Sequence, residues 1–268
     1  MIQLTAAQVA HFHVEGYLTL PPLTTPDEVT SLRTLYDHHF AVRSGRDQGS
    51  QFDLFGNDQD PDRPNVPQIL GLSNFAPQVK QTRLYANVKS VVAQLFGMEV
   101  PIGDHAILKP PFCAAATPWH QDEAYWNARV DHCGLSVWVP LQDVDQESGC
   151  MHFVPRSHFG EILPHRSAGN DPAVHGLELD GDFSEILARA VSCPLPAGAC
   201  TIHHNRTLHY ATLNHKAEPR RAWIFGANVS TKRQIPWQRP WEEAKQTLRA
   251  QRAHAYTSKA ARETVGGA

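Results

Sequence analysis

From residue 99 onward the chain consists of short apolar runs separated by Pro and Gly, and this pattern limits the folds open to it. The clearest runs cover residues 106–108, 134–139, 151–154, 199–203 and 222–229. Runs this short are typical of β-strands, and no helix-length apolar pattern stands between them to build βαβ units. The pattern therefore predicts a β-sandwich or jelly roll and argues against a parallel α/β sheet.

Helical patterns flank this β-rich region. Thr5 and Thr25 are suitable N-caps for helices over residues 6–14 and 26–41, and Gly16 ends the first helix before a short strand at 17–20. A third helix is predicted at 77–96 and a polar helix at 240–264. Two segments rich in Gly, Asp and Pro, at 44–67 and 159–182, predict long loops of the kind that often form lids.

Composition restricts the class of partner. The chain has 268 residues and a formal net charge of −3, so it offers no broad basic surface for nucleic acid or anionic lipid. It contains no apolar run of about 18 residues and no signal-like N-terminus, which predicts a cytoplasmic protein without membrane contact. The five cysteines form no CxxC pair, so neither disulfides nor a structural zinc site are expected. A small-molecule partner is favoured, and the oligomeric state cannot be read from the sequence.

An H-x-D pair, His120 and Asp122, is the strongest chemical signal. On an extended segment, residues two apart project to the same side, so imidazole and carboxylate can converge on one ion. Two His and one carboxylate on one face of an octahedral ion leave three positions open, as in non-haem iron(II) oxygenases. The pair alone is weak, because a chain with 16 His holds about one such pair by chance. A second histidine must come from a distant strand, and His209 is the candidate.

Several ordered motifs give the chain a resemblance to the phytanoyl-CoA dioxygenase family. They run in order from Glu15-Gly-Tyr17 to about Ser230: Leu108-Lys-Pro-Pro111, Pro118-Trp-His-Gln-Asp122, Tyr125-Trp126, Val137-Trp-Val-Pro-Leu141, Ser148-Gly-Cys150, Val154-Pro-Arg-Ser-His158, His209 and Arg220. The resemblance implies a double-stranded β-helix (jelly-roll) core, mostly β with flanking helices. It also implies iron(II) held by His120, Asp122 and His209, with 2-oxoglutarate and dioxygen as co-substrates and ascorbate as a supporting reductant.

The resemblance also implies roles around the metal. The family pairs the far carboxylate of 2-oxoglutarate with an arginine eleven positions after the distal histidine, which here is Arg220. Arg221 is the alternative, although a regular strand would point it to the opposite face. Three further residues fall where the family surrounds the co-substrate, and three more are expected near the metal mouth beside the substrate. The first three are Lys109, Trp138 and His105; Trp138 could instead be core filling and His105 a satisfied polar residue. The others are Gln121, Tyr125 and Trp126, and the two aromatic residues could equally pack the loop after the strand.

The domain plan that follows is a single catalytic domain over 1–268. It comprises an N-terminal helical region and lid loop (1–98), a jelly-roll core (99–230) with an insertion at 159–182, and a helical tail (231–268). One departure from the family is Tyr210-Ala211 in place of Gly-Ser after the distal histidine, which removes a hydroxyl from the co-substrate carboxylate. Thr212 and Thr201 are candidates to replace it.

Asp122 bears on the reaction outcome. Related halogenases carry a small residue in place of the carboxylate, so the aspartate favours hydroxylation, or desaturation, over halogenation. Two other interpretations share the ligand set: a non-catalytic jelly-roll protein that binds metal or a small molecule, and a cupin-like zinc hydrolase or isomerase. An anion clamp such as Arg220 argues against a mere binding module. The loops carry no readable code for the primary substrate.

Overall fold

A computed structural model describes residues 1–232 and 239–265. The strands are β1 (Tyr17–Leu20), β2 (Gln51–Asp53), β3 (Pro67–Leu70), β4 (Ile102–Lys109), β5 (Thr117–His120), β6 (Val130–Pro140), β7 (Met151–Phe153), β8 (His165–Ser167), β9 (Leu177–Leu179), β10 (Val191–Cys193), β11 (Cys200–His204), β12 (His209–Ala211) and β13 (Arg220–Lys232). The helices are α1 (Ala6–Glu15), α2 (Pro26–Ala41), α3 (Leu72–Phe75), α4 (Arg83–Phe96), α5 (Ser184–Leu187), α6 (Pro240–Glu243) and α7 (Leu248–Val265).

Two antiparallel sheets form the core. The larger has the strand order β1-β11-β6-β13-β4-β3-β2 and the smaller the order β10-β7-β12-β5, while β8 and β9 form a separate hairpin. One buried cluster joins Trp138 and Ile224 of the large sheet to Met151, Phe153 and Ala211 of the small sheet. The sheets therefore face each other across a shared interior. The predicted class, mostly β with flanking helices around a jelly-roll core, is confirmed.

Helices cover the other face of the large sheet. Trp223 and Phe225 of β13 alternate with the inward residues and pack against Tyr36 of α2 and Val88 of α4 in the main apolar cluster. Local signals set the helix ends as predicted: Thr5 caps α1 in a capping box with Gln8, and Thr25 caps α2. Gly16 ends α1 at φ 80°, a left-handed conformation that glycine adopts without steric cost.

The segment predicted as a lid loop, 44–67, is more ordered than expected. It contains a short 3₁₀ turn at Arg46–Gln48 and then β2, which pairs with β3 at the edge of the large sheet. Phe52 is fully buried with Leu54 and Val66, and the Asp53 carboxylate accepts the Val66 backbone N–H at 2.9 Å. Apolar anchors and one buried carboxylate thus override the Gly- and Asp-rich composition of the segment.

Three other boundaries differ from the expectation. The insertion 159–182 contains the β8–β9 hairpin. The predicted helix 77–96 divides into a 3₁₀ turn at Pro77–Gln81 and α4, because Thr82 adopts an extended conformation and caps α4. The predicted tail helix divides into α6 and α7. The described cysteines are all free, and within the described ranges no helix combines the length and apolarity needed to span a bilayer.

Candidate metal centre and co-substrate pocket

Neighbouring strands of the small sheet bring the two histidines together. His120 ends β5 and His209 begins β12, and the two are paired across the antiparallel ladder with ring centroids 4.1 Å apart. Asp122 opens the 3₁₀ turn that follows β5. Its Oδ1 lies 3.7 Å from His120 Nε2 and 3.4 Å from His209 Nε2. The predicted triad therefore converges, with its candidate ligand atoms all within 4.8 Å of one another.

Backbone carbonyls fix the orientation of both imidazoles. His120 Nδ1 donates to Pro118 O at 2.7 Å, and His209 Nδ1 donates to Thr207 O at 2.9 Å. These bonds place the proton on Nδ1 and leave the Nε2 lone pairs directed at Asp122. Burial, reinforced by the neighbouring His209, lowers the pKa of His120 to about 3. A neutral imidazole with a free Nε2 is the form that binds a metal ion.

Two residues outside the predicted set hold the carboxylate. Asp122 Oδ2 accepts the Ser136 hydroxyl at 2.7 Å and His203 Nε2 at 3.1 Å, so Oδ1 is left for a metal. Burial opposes ionisation of Asp122, but the neighbouring His209 and the hydrogen bond from His203 hold its pKa well below the usual range. Two nitrogen donors and one oxygen donor, each oriented by a hydrogen bond from behind, fit a divalent iron with open positions.

A cavity of about 530 Å³ opens from this triad between the two sheets. Arg220 lies in its wall and is only 2% exposed. Its guanidinium packs 5.5 Å from the centroid of the Trp138 ring and donates to Ile107 O at 3.3 Å, while its Nε has no hydrogen-bond partner among the described residues. Burial lowers the pKa of Arg220 to about 10, so it remains charged at neutral pH.

The guanidinium of Arg220 is a buried positive charge for which the described residues provide no anionic partner. In the part of the chain that the structure describes, no carboxylate lies within ion-pair distance of it, although a buried charge without a partner is costly. Gly149, at φ 85°, allows the close approach, because a Cβ at this position would lie 3.2 Å from Arg220 Nε. An anionic ligand reaching Arg220 from the triad would complete the pair. A dicarboxylate such as 2-oxoglutarate carries one anionic group for the metal and a second for Arg220.

The structure also distinguishes Arg220 from Arg221. Arg221 points to the opposite face of β13 and forms two hydrogen bonds to Asp37 of α2, at 2.6 and 2.8 Å. His105 and Trp138, two of the expected co-substrate neighbours, both line the cavity. Arg220 is therefore the one of the two arginines available to a ligand in the interior.

Lys109 occupies a different place from the expected one. It is paired with Arg220 across β4 and β13, but its Nζ donates to Ala211 O at 3.1 Å and to Thr212 O, and it is absent from the cavity wall. Burial and the adjacent Arg220 lower its pKa well below the usual value. Within the described ranges, the buried hydroxyls of Thr201 and Thr212 have no hydrogen-bond partners, and neither residue lines the cavity.

The three residues expected beside the substrate separate into two groups. Tyr125 and Trp126 line the cavity. Gln121 faces the other way, because it lies between His120 and Asp122, whose side chains point inward. Gln121 is 1% exposed. Its side-chain amide donates a hydrogen bond to Arg206 O at 2.8 Å and accepts one from the Leu163 backbone N–H at 2.8 Å. Its role in the structure is to attach the 159–182 insertion to the metal-binding turn, in place of the expected position at the cavity mouth.

Sequence reasoning missed four residues that shape the site. Ser136 and His203 are opposite one another in the β6–β11 ladder, so both lie on the same face of the sheet. The sequence alone does not show that β6 pairs with β11, and this contact was therefore missed. His175 and Arg249 also line the cavity, but they come from the insertion and from α7. No sequence signal connects those two positions with the triad.

Comparison with known proteins agrees with this geometry. The sequence profile described as phytanoyl-CoA dioxygenase (PhyH) matches residues 12–222. The solved structure of EvdO2 from Micromonospora carbonacea var. aurantiaca is similar at 32% identity and a TM-score of 0.76, over 90% of this chain and 97% of that one. A second EvdO2 structure, similar at 31% identity, is a complex with 2-oxoglutarate.

Two curated proteins extend the comparison. The phytanoyl-CoA dioxygenase domain-containing protein 1 of Danio rerio is 23% identical over 261 residues, which cover 83% of this chain and 89% of that protein. A probable alpha-ketoglutarate-dependent hypophosphite dioxygenase of Stutzerimonas stutzeri is 31% identical over 125 residues, which span only 44% of this chain and 41% of that protein. With a profile match over most of its length, the chain belongs to the phytanoyl-CoA dioxygenase family of iron- and 2-oxoglutarate-dependent oxygenases.

Proposed function

We propose that this dioxygenase hydroxylates an unactivated C–H bond of a small-molecule metabolite. In the balanced reaction, substrate, 2-oxoglutarate and dioxygen give hydroxylated substrate, succinate and carbon dioxide. The observation that carries the proposal is the buried Arg220, which lacks a carboxylate partner among the described residues and shares a cavity with the His120, Asp122 and His209 triad. A metal-binding module without a co-substrate has no use for that second charge.

The residues of the chain have separate tasks in this reaction. The Nε2 atoms of His120 and His209 and Oδ1 of Asp122 would hold iron(II), which, with 2-oxoglutarate bound, supplies the oxidising power through decarboxylation of the co-substrate. Arg220 would hold the far carboxylate of 2-oxoglutarate through a planar, charge-assisted contact. Ser136 orients Asp122 and so preserves the geometry of the metal face.

The cavity wall supports a reaction sheltered from water. Tyr125, Trp126 and Trp138 give it a largely apolar lining near the triad. The Tyr125 hydroxyl accepts the Leu177 backbone N–H at 2.7 Å, which holds the hairpin of the insertion against the metal-binding turn. Exclusion of bulk water strengthens electrostatic contacts and protects a reactive oxidant.

The decisive experiment is a succinate-release screen of a metabolite library with iron(II), 2-oxoglutarate and ascorbate under air. Hydroxylation predicts a product 16 mass units heavier than the substrate (one oxygen), whereas desaturation at the same site predicts a loss of two hydrogens. His209→Ala should abolish succinate release. Complete absence of turnover with iron, for every substrate tested, would favour the binding protein or the zinc enzyme. We further propose a cytoplasmic location and ascorbate as the reductant that maintains iron(II).

A further inference from the structure

A second cationic group, contributed by the C-terminal helix, lies in the cavity wall. Arg249 of α7 lines the cavity, and its guanidinium packs 5.0 Å from the centroid of the Phe52 ring. Its Nε donates to Gly49 O at 3.0 Å. Among the residues described by the structure, no carboxylate is within ion-pair distance of it, which leaves its two terminal nitrogens for a ligand.

The carboxylates of the cavity wall are already engaged. Asp104 accepts the Ser73 hydroxyl at 2.6 Å and the Trp223 indole N–H at 2.8 Å. Asp122 belongs to the triad, and Glu242 is paired with Lys245. Among the described residues, Arg220 and Arg249 are therefore the two cationic side chains of the wall that have no carboxylate within ion-pair distance. Since 2-oxoglutarate brings one far carboxylate for Arg220, the terminal nitrogens of Arg249 remain available after the co-substrate has bound, with Glu242 as its nearby negative charge.

A neutral hydrogen-bonding group stands beside Arg249. His175, from the insertion, lines the cavity and contacts Phe52 and Tyr125 edge-on or tilted, with centroids 4.9 and 5.8 Å apart. Its ring nitrogens have no hydrogen-bond partner in the described part of the chain. Tyr125 in turn lies 5.9 Å from the His120 ring. The contacts run from Arg249 through Phe52, His175 and Tyr125 to the metal face, so a ligand at Arg249 would reach the triad from the insertion side.

We propose that Arg249 and His175 form a subsite for an anionic group of the primary substrate, a carboxylate or a phosphonate. This inference rests on the proposed function, since it assigns the substrate class of the same cavity. Arg249 supplies the charge and two parallel donors that match a carboxylate or phosphonate, and His175 supplies one further N–H. The substrate is accordingly an acidic small molecule whose reactive C–H bond lies between its anionic group and the triad.

Matched pairs of acid and amide test the subsite. Zn²⁺ in place of iron and saturating 2-oxoglutarate keep the triad and Arg220 occupied without turnover. Binding of benzoate, hexanoate and phenylphosphonate is then compared by ligand-observed NMR with that of benzamide and hexanamide. The wild-type protein should prefer the acids by about tenfold or more. Arg249→Gln should remove that preference, and Arg249→Lys should keep most of it.

Arg252→Gln is the control on the same helix. Arg252 pairs with Asp58 outside the cavity wall, so its loss disturbs the attachment of α7 without changing the charge of the cavity. The acid preference should survive in this variant. Equal binding of acids and amides by the wild-type protein, no binding of any acid at about 10 mM, or a preference unchanged in Arg249→Gln would overturn the subsite. Failure of the proposed function is separate, because it appears as absence of 2-oxoglutarate turnover in the wild-type protein.

Discussion

Replacement of Arg220 by methionine should stabilise the protein when no co-substrate is present. Arg220 is 2% exposed, its Nε has no hydrogen-bond partner in the described part of the chain, and it stands opposite the buried Lys109 in the sheet, which adds repulsion. An apolar side chain of similar volume removes an uncompensated buried charge, and such exchanges stabilise by about 1–3 kcal/mol. In a domain of this size the midpoint of thermal unfolding should rise by roughly 2–4 °C per kcal/mol.

With 2-oxoglutarate present, the variant should lose most or all of this advantage. A ligand at 100 times its Kd stabilises the wild-type fold by about 2.7 kcal/mol. Two charge-assisted hydrogen bonds, each worth about 1.5–3 kcal/mol, would be missing in Arg220→Met, so its Kd for 2-oxoglutarate should rise by roughly 10²–10⁴-fold. At the same ligand concentration the variant therefore gains almost nothing. The substitution should thus raise the stability of the ligand-free protein and remove the stabilisation that 2-oxoglutarate brings.

Thermal unfolding with Zn²⁺ in place of iron, with and without 2-oxoglutarate, measures both effects. Arg221→Met is the matched control: it breaks the partly exposed pair with Asp37, which is worth at most about 1 kcal/mol, and should keep the full ligand-induced gain. The reasoning is refuted if Arg220→Met is less stable than the wild-type protein without ligand, or if it retains the wild-type gain with ligand.

Three further predictions concern the surroundings of the site. Ser136→Ala should lower iron affinity by about tenfold, because Asp122 loses one of the two donors that orient it; competition with a chelator measures this, and unchanged affinity contradicts it. Gln121→Ala should destabilise the fold by about 2–4 kcal/mol while leaving the Kd for 2-oxoglutarate within about twofold, as read by unfolding and by titration. Burial lowers the pKa of His175 to about 3 and of His204 to about 4 in the folded protein. As the pH falls, the unfolded chain therefore binds protons at these histidines at a higher pH than the folded protein does. The free energy of unfolding should therefore fall as pH drops below 6.5, by up to about 2 kcal/mol per histidine at pH 5; denaturation curves that do not change between pH 7 and 5 would disprove this.

Alternation along strands explains why the metal face could be predicted from the sequence. His120 and Asp122 are two positions apart, and the same rule separates Arg220 from its neighbour, which reaches Asp37 on the helical side. The rule also explains an error. Gln121 lies between two inward side chains, so it had to point away from the cavity, and a position inferred from family resemblance did not outweigh that constraint.

The remaining parts of the site depend on contacts between distant segments. Whether Ser136 faces His203 depends on the register of β6 with β11, which no local pattern encodes. The order of residues 44–67 depends on the packing of Phe52 against Leu54 and Val66 in a buried cluster beside the β2–β3 pair. Composition describes the average tendency of such a segment, whereas one buried aromatic side chain decides its actual path.

The residues of the cavity wall fall into two groups, which differ in the kind of contact that holds them in place. The triad and Arg220 lie on or next to paired strands, where a change of register would displace every side chain of the face together. His175 and Arg249 lie on the insertion and on α7, which are attached through individual contacts such as Leu177 N to the Tyr125 hydroxyl and Arg252 to Asp58. Individual contacts can be exchanged one at a time without moving the metal face. Substrate choice in this fold can therefore vary through the insertion and the C-terminal helix while the oxidative chemistry stays fixed on the sheets.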